Sequence, residues 1–374
     1  MKITIFYPEG NINDNPSIQA IVESLCDSGH NLHIIVGRRN FHQFSPHPKA
    51  LLHLVDDEFF RSGYLNADAP FQIAQSELNL GVDADGIIVA SYFASRNNTP
   101  YGLISYEIFF SDEVDTLTKK REIEACSKIE FAVSQDFLRG QLLCLQNKIP
   151  SEKLIYLPVG GRGVIRAKRQ YFLHDALNIP RGQKIALLAG SICKWTMADR
   201  IVLSTCDWPS EWTLVLHGRY GLTAIESDIL MLLHSKKWQN VVVSDIIANS
   251  LTELSKILFS VDLGLAFYSP TYTSEYSGKN LRYIGLSSGK IANYLQHGVP
   301  VACNEIGVIA DLLRECDAGI VTDLPEQLPG LLNLLGQKVR RDNCYSFFER
   351  YLDFDCHQQD LMNAIEGVAR HKCP

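Results

Sequence analysis

Short apolar stretches alternate with helical stretches along nearly the whole chain, and this alternation limits the choice of fold. Residues 3–7 predict a strand, an amphipathic segment over about 17–28 predicts a helix, and 31–36 predicts the next strand. Further strands are predicted at 86–90, 102–105, 131–133 and 154–157. Strand–helix–strand order predicts a mostly parallel sheet with helices on both faces.

A second series of strands follows, at 185–189, 213–217, 241–244, 263–267 and 299–303. The chain has 374 residues, of which 46% are hydrophobic, enough for two packed cores. We therefore expect two doubly wound, Rossmann-like α/β domains. The predicted parts are an N-terminal domain at 1–165, a linker at 166–182, a second domain at 183–336, and a helical tail at 337–374 that packs back toward the first domain.

Charge and cysteine content exclude several classes of protein. Thirty-five Lys and Arg against 42 Asp and Glu leave a net charge of −7, which argues against nucleic acid as a partner. The ten cysteines show no CxxC or other metal-ligand spacing, so we expect no metal site and free thiols in a reducing cytoplasm. The first residues predict a strand, not a signal peptide, and no apolar run reaches the ~20 residues that cross a bilayer.

The segment 283–301 carries the strongest functional signal. Ser287 or Ser288 is a suitable N-cap for a short helix, and Gly298 is the expected end of that helix. The helix start offers backbone N–H groups, two hydroxyls, Gly289 for close approach, and Lys290 in the first turn. This combination favours a bound anion. The alternative is an ordinary capped helix with a surface lysine.

Three stretches resemble the donor-binding domain of GT-B glycosyltransferases, especially family-4-like enzymes. The resemblance rests on SSGKIANYL at 287–295 followed by GVPV at 298–301, on LLAGSICKW at 187–195, and on SVDLGL at 260–265. In the N-terminal half, PEGN at 8–11 and SGH at 28–30 resemble the family more loosely. The resemblance implies two domains facing across a cleft. It also implies sugar transfer from a nucleotide-diphosphate donor to a hydroxyl acceptor, with no cofactor and no obligatory metal.

The chain departs from that family at one motif. Many family-4 enzymes carry a Glu-x7-Glu pair that holds donor hydroxyls, and Gly285 and Asn293 occupy those positions here. Asn293 can still bond a ribose, but sugar recognition must come from other residues. Two alternatives therefore stay open: a nucleotide-sugar 2-epimerase of the same fold, and a catalytically degenerate partner or scaffold protein.

Three more residues are candidates for the donor side. Lys194 follows the strand at 185–189, and because parallel sheets bind ligands at the carboxyl ends of their strands it is expected to join Lys290 at the phosphates. Arg219 follows the strand at 213–217 and is a candidate for the nucleotide, as is Asn280, shortly before the helix. The alternative for Lys194 and Arg219 is an exposed surface side chain.

The acceptor side is less defined. Glu107 lies just past the strand at 102–105, where a carboxylate can deprotonate an acceptor hydroxyl. The alternative is a structural glutamate bonded to loop amides. Gly10 and Asn11 follow the first strand and are expected to form a loop that lets a substrate approach the backbone closely. The alternative is a simple turn. Asp83-Ala84-Asp85 precedes the predicted strand at 86–90, which puts it at the wrong end of the sheet and predicts a turn.

Two basic runs, around 162–169 and 119–121, predict solvated surface or, alternatively, a site for anionic lipid. A lipid site would suit a lipid-linked acceptor and a peripheral position at the inner face of a membrane. The expected partners are therefore a nucleotide-sugar donor and a glycan or lipid-linked acceptor.

Overall fold

The computed structural model describes residues 1–370 except 11, 39–40, 42–46, 62–75, 219–220, 236–237, 249, 334 and 336–339. The chain divides into two compact units. Unit 1 comprises Met1–Arg162, Ser274–Tyr276 and Phe354–Pro374, and unit 2 comprises Gly163–Thr273 and Ser277–Asp353. The two units alternate along the chain, so each is built from separate stretches of sequence.

Within its described residues, unit 1 contains seven parallel strands in the order β3-β2-β1-β4-β5-β6-β7. The strands are β1 (Lys2–Tyr7), β2 (Asn31–Gly37), β3 (Ala50–Val55), β4 (Leu78–Val82), β5 (Tyr101–Ile104), β6 (Ala132–Ser134) and β7 (Leu154–Tyr156). The helices are α1 (Pro16–Asp27), α2 (Glu58–Arg61), α3 (Asp83–Asn97), α4 (Thr116–Cys126) and α5 (Phe137–Asn147). β1 is an interior strand, and its Ile5 pairs with Ile34 on one side and Leu80 on the other.

The segment predicted as a strand at 86–90 lies inside α3, so that prediction is wrong. The strand of this region is β4, and neither β3 nor β4 was predicted. A short apolar run such as GIIVA fits a buried helix as well as a strand, because periodicity does not separate them over five residues. Two glycines allow α3 to pack closely: a Cβ on Gly86 would lie 2.6 Å from the Phe6 carbonyl oxygen, and one on Gly81 would lie 2.3 Å from Ile87 Cα.

In the part of unit 2 that the structure covers, six parallel strands follow the order β10-β9-β8-β11-β12-β13. The strands are β8 (Lys184–Gly190), β9 (Trp212–Gly218), β10 (Val241–Ser244), β11 (Leu263–Ala266), β12 (Val301–Cys303) and β13 (Gly319–Val321). The helices are α6 (Phe172–Ala176), α7 (Ala198–Ser204), α8 (Ser227–Ser235), α9 (Leu251–Leu258), α10 (Lys279–Arg282), α11 (Gly289–Gln296), α12 (Val308–Glu315), α13 (Leu328–Leu332) and α14 (Arg341–Tyr351). The five strands predicted for this half are confirmed with small shifts of their ends, and β13 is additional.

Apart from the three-residue segment Ser274–Tyr276, which belongs to unit 1, the chain passes between the units at two points. The first lies between Arg162 and Gly163, so the stretch predicted as a linker at 166–182 is part of unit 2. The second lies between Asp353 and Phe354: α14 belongs to unit 2, whereas α15 (Phe354–His357) and α16 (Gln359–Arg370) belong to unit 1. Leu361 and Ile365 of α16 are fully buried in the hydrophobic core of unit 1. None of the helices in the described ranges is long and apolar enough to cross a membrane.

Candidate functional site

Helix α11 begins and ends where local sequence predicts. Ser288 is the N-cap, and its Oγ accepts a hydrogen bond from the Ile291 amide at 3.2 Å. Ser287 closes the preceding 3-10 turn, Gly285–Ser287. The chain leaves the helix through Gly298 at φ +69°, a left-handed conformation that glycine adopts without strain. The predicted N-cap, helix and glycine stop are confirmed.

Tyr294 attaches α11 to the neighbouring strand. Its hydroxyl donates to the Leu187 carbonyl at 2.9 Å and accepts from the Ala189 amide at 3.2 Å, both in β8. Gly264 in β11 makes room for the ring, because a Cβ there would lie 2.3 Å from a ring carbon of Tyr294. The second half of α11 is therefore held against β8 near the carboxyl end of that strand.

Lys290 lies against that strand end. Its Cε is 3.8 Å from the position a Cβ on Gly190 would take, and its Nζ is 5.7 Å from the centroid of the Tyr268 ring. Gly190 has φ +91°, so a side chain there would be strained as well as close to the lysine. A cation and a helix N-terminus thus occur together at the carboxyl edge of the sheet, which is the chemistry of an anion site.

Three side chains that the sequence did not single out surround this position. Tyr268 follows β11, and its hydroxyl shares a 2.7 Å hydrogen bond with Ser288 Oγ. The ring of Trp195, after β8, stacks on Tyr268 with 6.1 Å between centroids. Asn304, after β12, accepts from the Tyr268 amide at 2.9 Å and donates to its carbonyl at 2.8 Å. Each lies in the segment that follows a buried strand, within one to five residues of the strand's end, and that position in the sequence could have identified all three.

The other predicted donor residues take different positions. The Lys194 ammonium is exposed and forms an ion pair with Asp228, and its amide donates to Glu226 Oε2 at 2.9 Å. Asn280 is buried in α10. Asn293 is half-buried in α11, and its carbonyl lies 2.8 Å from His297 Nδ1. Arg219 and Asn11 lie outside the described residues, and Gly10 is buried shortly after β1.

In unit 1, the structure brings Glu107 and Asp83 together. The amides of Tyr106 and Glu107, after β5, donate to Asp83 Oδ1 at 2.6 and 2.8 Å. Asp83 directly follows β4 and has φ +54°, a conformation that residues other than glycine rarely adopt. The prediction that Asp83 lies at the wrong end of the sheet is therefore incorrect. It is at the carboxyl edge because the strand precedes it and a helix follows.

Glu107 is half-buried, and the pKa of its carboxyl group is raised. Burial raises its pKa to about 7; the Arg139 guanidinium acts in the opposite direction, and the Glu9 carboxylate adds to the increase. Burial also raises the pKa of Asp83 well above its usual range, against the amide hydrogen bonds that favour its charged form. A carboxyl group that changes charge near neutral pH has the property that general base catalysis requires.

The basic runs are mostly engaged within the fold. Lys119 is buried and pairs with Glu122 at 2.8 Å. Arg169 pairs with Asp262, and Arg162 pairs with Asp27 and Asp355 at 2.9 Å each. Arg166 stacks on Tyr345 with its Cζ 4.2 Å from the ring centroid. These contacts indicate that the four side chains have structural roles. They do not favour the alternative interpretation, in which the basic runs bind anionic lipid.

No protein-family model matches the chain, and no curated protein matches its sequence. Solved structures do match. Anabaena HepE in complex with UDP-glucose superposes with a TM-score of 0.72 at 12% identity, over 98% of this chain and 100% of that chain. Sucrose-phosphate synthase from Thermosynechococcus elongatus gives a TM-score of 0.70 at 10% identity, over the full length of both. WaaG, a glycosyltransferase involved in lipopolysaccharide biosynthesis, gives 0.64 at 13%, over 97% and 98%.

The chain has the GT-B fold. Two parallel sheets of seven and six described strands, each in a doubly wound order, agree with these neighbours. The resemblance that the 287–301 segment suggested is confirmed for the fold.

Proposed function

We propose that this protein is a glycosyltransferase of the hexosyltransferase type. It transfers a sugar from a nucleotide-diphosphate donor, bound by unit 2, to a hydroxyl acceptor. The observation that carries the proposal is the position of Lys290, at the start of α11 and against Gly190 at the carboxyl end of β8. A structural neighbour, HepE, has been solved with UDP and with UDP-glucose, which supports the same type of donor here.

We assign the donor-side residues different roles according to their contacts. Departure of a nucleotide diphosphate leaves negative charge on its phosphates, and a helix N-terminus with a nearby cation stabilises that charge. Lys290 and the amides of Ser288 and Gly289 supply those groups in our proposal. Ser288 Oγ already bonds the Ile291 amide and Tyr268, so its hydroxyl serves to shape the site. Because Lys290 provides the positive charge, we propose that the reaction needs no metal.

Glu107 is the proposed base on the acceptor side. Its elevated pKa lets it take a proton from an acceptor hydroxyl near neutral pH. The acceptor is a glycan or a lipid-linked sugar in this proposal.

Calorimetric titration with UDP, GDP and ADP tests the donor site. Lys290→Ala is expected to weaken binding of the preferred nucleotide about tenfold or more, because a charge-assisted contact contributes roughly 1.5–3 kcal/mol. Lys256→Ala, which removes an exposed lysine of α9, is the matched control and should bind as the wild type does. Equal affinity of the Lys290 variant and the wild type would contradict the site. Failure of the wild type to bind any of the three would favour the scaffold alternative.

We also propose a cytoplasmic protein whose unit 1 makes a peripheral contact with a membrane. The support is an apolar surface on α5 and β7: Phe137 is 69% exposed, Leu145 74%, Leu138 46% and Tyr156 39%. Free cysteines throughout the described residues agree with a reducing compartment. Co-sedimentation with vesicles that contain anionic lipid should decrease for Phe137→Ser combined with Leu145→Ser. The exposed Leu203 of unit 2 provides the control substitution, and equal sedimentation of all three proteins would refute the contact.

A further inference from the structure

Polar side chains hold the loop that carries Glu107 from two sides. On the amide side, one carboxylate oxygen of Asp83 accepts from both Tyr106 and Glu107. This oxygen therefore fixes two consecutive peptide groups directly before and at the proposed base. Asp83 holds this carboxylate in place from a left-handed backbone conformation, which residues other than glycine rarely adopt.

On the carbonyl side, the loop is held from the start of α5. Arg139 is 1% exposed, and its Nη2 donates to the Tyr106 carbonyl. Its Nε donates to Gln135 Oε1 at 2.9 Å, and Gln135 Nε2 donates to the Ser105 carbonyl at 2.6 Å. Asp136, the N-cap of α5, accepts from the Arg139 amide at 3.0 Å. A buried guanidinium is costly unless its donors are satisfied, and here the Tyr106 carbonyl and the Gln135 side-chain amide each accept from one of them.

We propose that Asp83 and Arg139 are positioning residues for Glu107, and that they hold its main chain from opposite sides. The proposal rests on the role of Glu107 as the acceptor base. Neither residue needs to touch substrate, because each acts through the loop. The sequence alone does not suggest the pair, since 56 positions and two strands separate the two residues.

Charges around Glu107 make the proposal measurable. The groups that act on its carboxyl are Arg139, which lowers the pKa, and Glu9, which raises it, with the Asp83 carboxyl beside it on the loop amides. A base works in its deprotonated form, so activity rises with pH through the pKa of Glu107. Loss of the Arg139 charge raises that pKa and moves this rise to higher pH. A lysine at 139 keeps the charge but not the forked hydrogen bonds.

The experiment measures kcat/KM against pH for the wild type, Arg139→Gln and Arg139→Lys. The glutamine variant should show its rise at higher pH, and the lysine variant should keep the wild-type position of the rise with a lower maximum. Asp83→Ala should lose about 100-fold in kcat/KM, because misplacement of a reacting group by about 1 Å costs that much. Asp83→Asn, which retains an acceptor oxygen, should recover most of that loss. Nucleotide binding by unit 2 should be unchanged in every variant, and thermal unfolding followed by circular dichroism shows whether unit 1, which carries the substitutions, is folded.

Glu107→Gln separates the two proposals. Wild-type activity in that variant would overturn the role of Glu107 itself. An inactive Glu107→Gln together with a wild-type pH profile for Arg139→Gln would overturn the positioning role and leave the proposed reaction standing. If the Arg139 variants do not fold, the Asp83 pair decides: equal activity of Asp83→Ala and the wild type, or no recovery in Asp83→Asn, contradicts the proposal.

Discussion

The hydroxyl of Tyr294 offers the sharpest test of how the donor site is built. Tyr294→Phe removes one oxygen and leaves the ring in place beside Gly264. The Leu187 carbonyl and the Ala189 amide lose the partner that joins β8 to α11. Tyr294 is 1% exposed, so water does not readily replace the missing oxygen. The substitution therefore tests the attachment of the helix and not the packing of the ring.

The Tyr294→Phe substitution removes two hydrogen bonds. A net contribution of roughly 1 kcal/mol for each, with a larger penalty where a buried group is left without a partner, gives a loss of about 2–3 kcal/mol in the free energy of unfolding. For domains of the size of unit 2, each kcal/mol corresponds to about 2–4 °C. We expect the melting temperature to decrease by about 4–12 °C. Nucleotide affinity should decrease as well, because Lys290 is the second residue of the same helix.

Thermal unfolding followed by circular dichroism, together with nucleotide titration, measures both effects. Tyr272→Phe is the matched control, since that tyrosine of unit 2 is 58% exposed. The control should melt and bind as the wild type does. A melting temperature for Tyr294→Phe within 1 °C of the control, with unchanged nucleotide affinity, would refute the attachment (the smallest predicted change is about 4 °C).

Three further outcomes are expected. Gly190→Val should weaken nucleotide binding, because it puts a β-branched side chain at a left-handed φ and in contact with Lys290; titration of a folded variant with normal affinity would contradict this. Gly86→Ala should lower the melting temperature of unit 1, since its Cβ would lie 2.6 Å from a carbonyl oxygen, whereas Gly182→Ala, with open space around it, should not. Burial lowers the pKa of His297 to about 4. Below about pH 6.5 the unfolded chain therefore binds a proton at this histidine that the folded chain does not bind. The free energy of unfolding should fall by about 3 kcal/mol between pH 6.5 and pH 4. His297→Gln should remove that part of the pH dependence in urea unfolding, and an unchanged dependence would show that His297 is not its source.

Local patterns were enough for most of the fold. Five of the six described strands of unit 2 were predicted because each is a short apolar run between turn residues, and α11 was predicted because its N-cap and glycine stop lie within eleven residues of each other. The failure at 86–90 has an equally local cause, since GIIVA is apolar on all sides in either conformation. Because of that error, Asp83 was predicted at the opposite edge of the sheet. The edge on which a residue lies depends on whether a strand or a helix follows it.

The sequence could not decide which lysine lies at the carboxyl edge of the sheet in unit 2. Lys194 and Lys290 both follow the right elements, and both were expected at the phosphates. In the folded chain, Asp228, 34 residues away, engages Lys194, whereas Tyr294 and Gly264 hold the helix that brings Lys290 to Gly190. The order of residues was sufficient for the helix, its cap and its end, since these depend on neighbours along the chain. The direction of each charge depends on partners that only packing brings together.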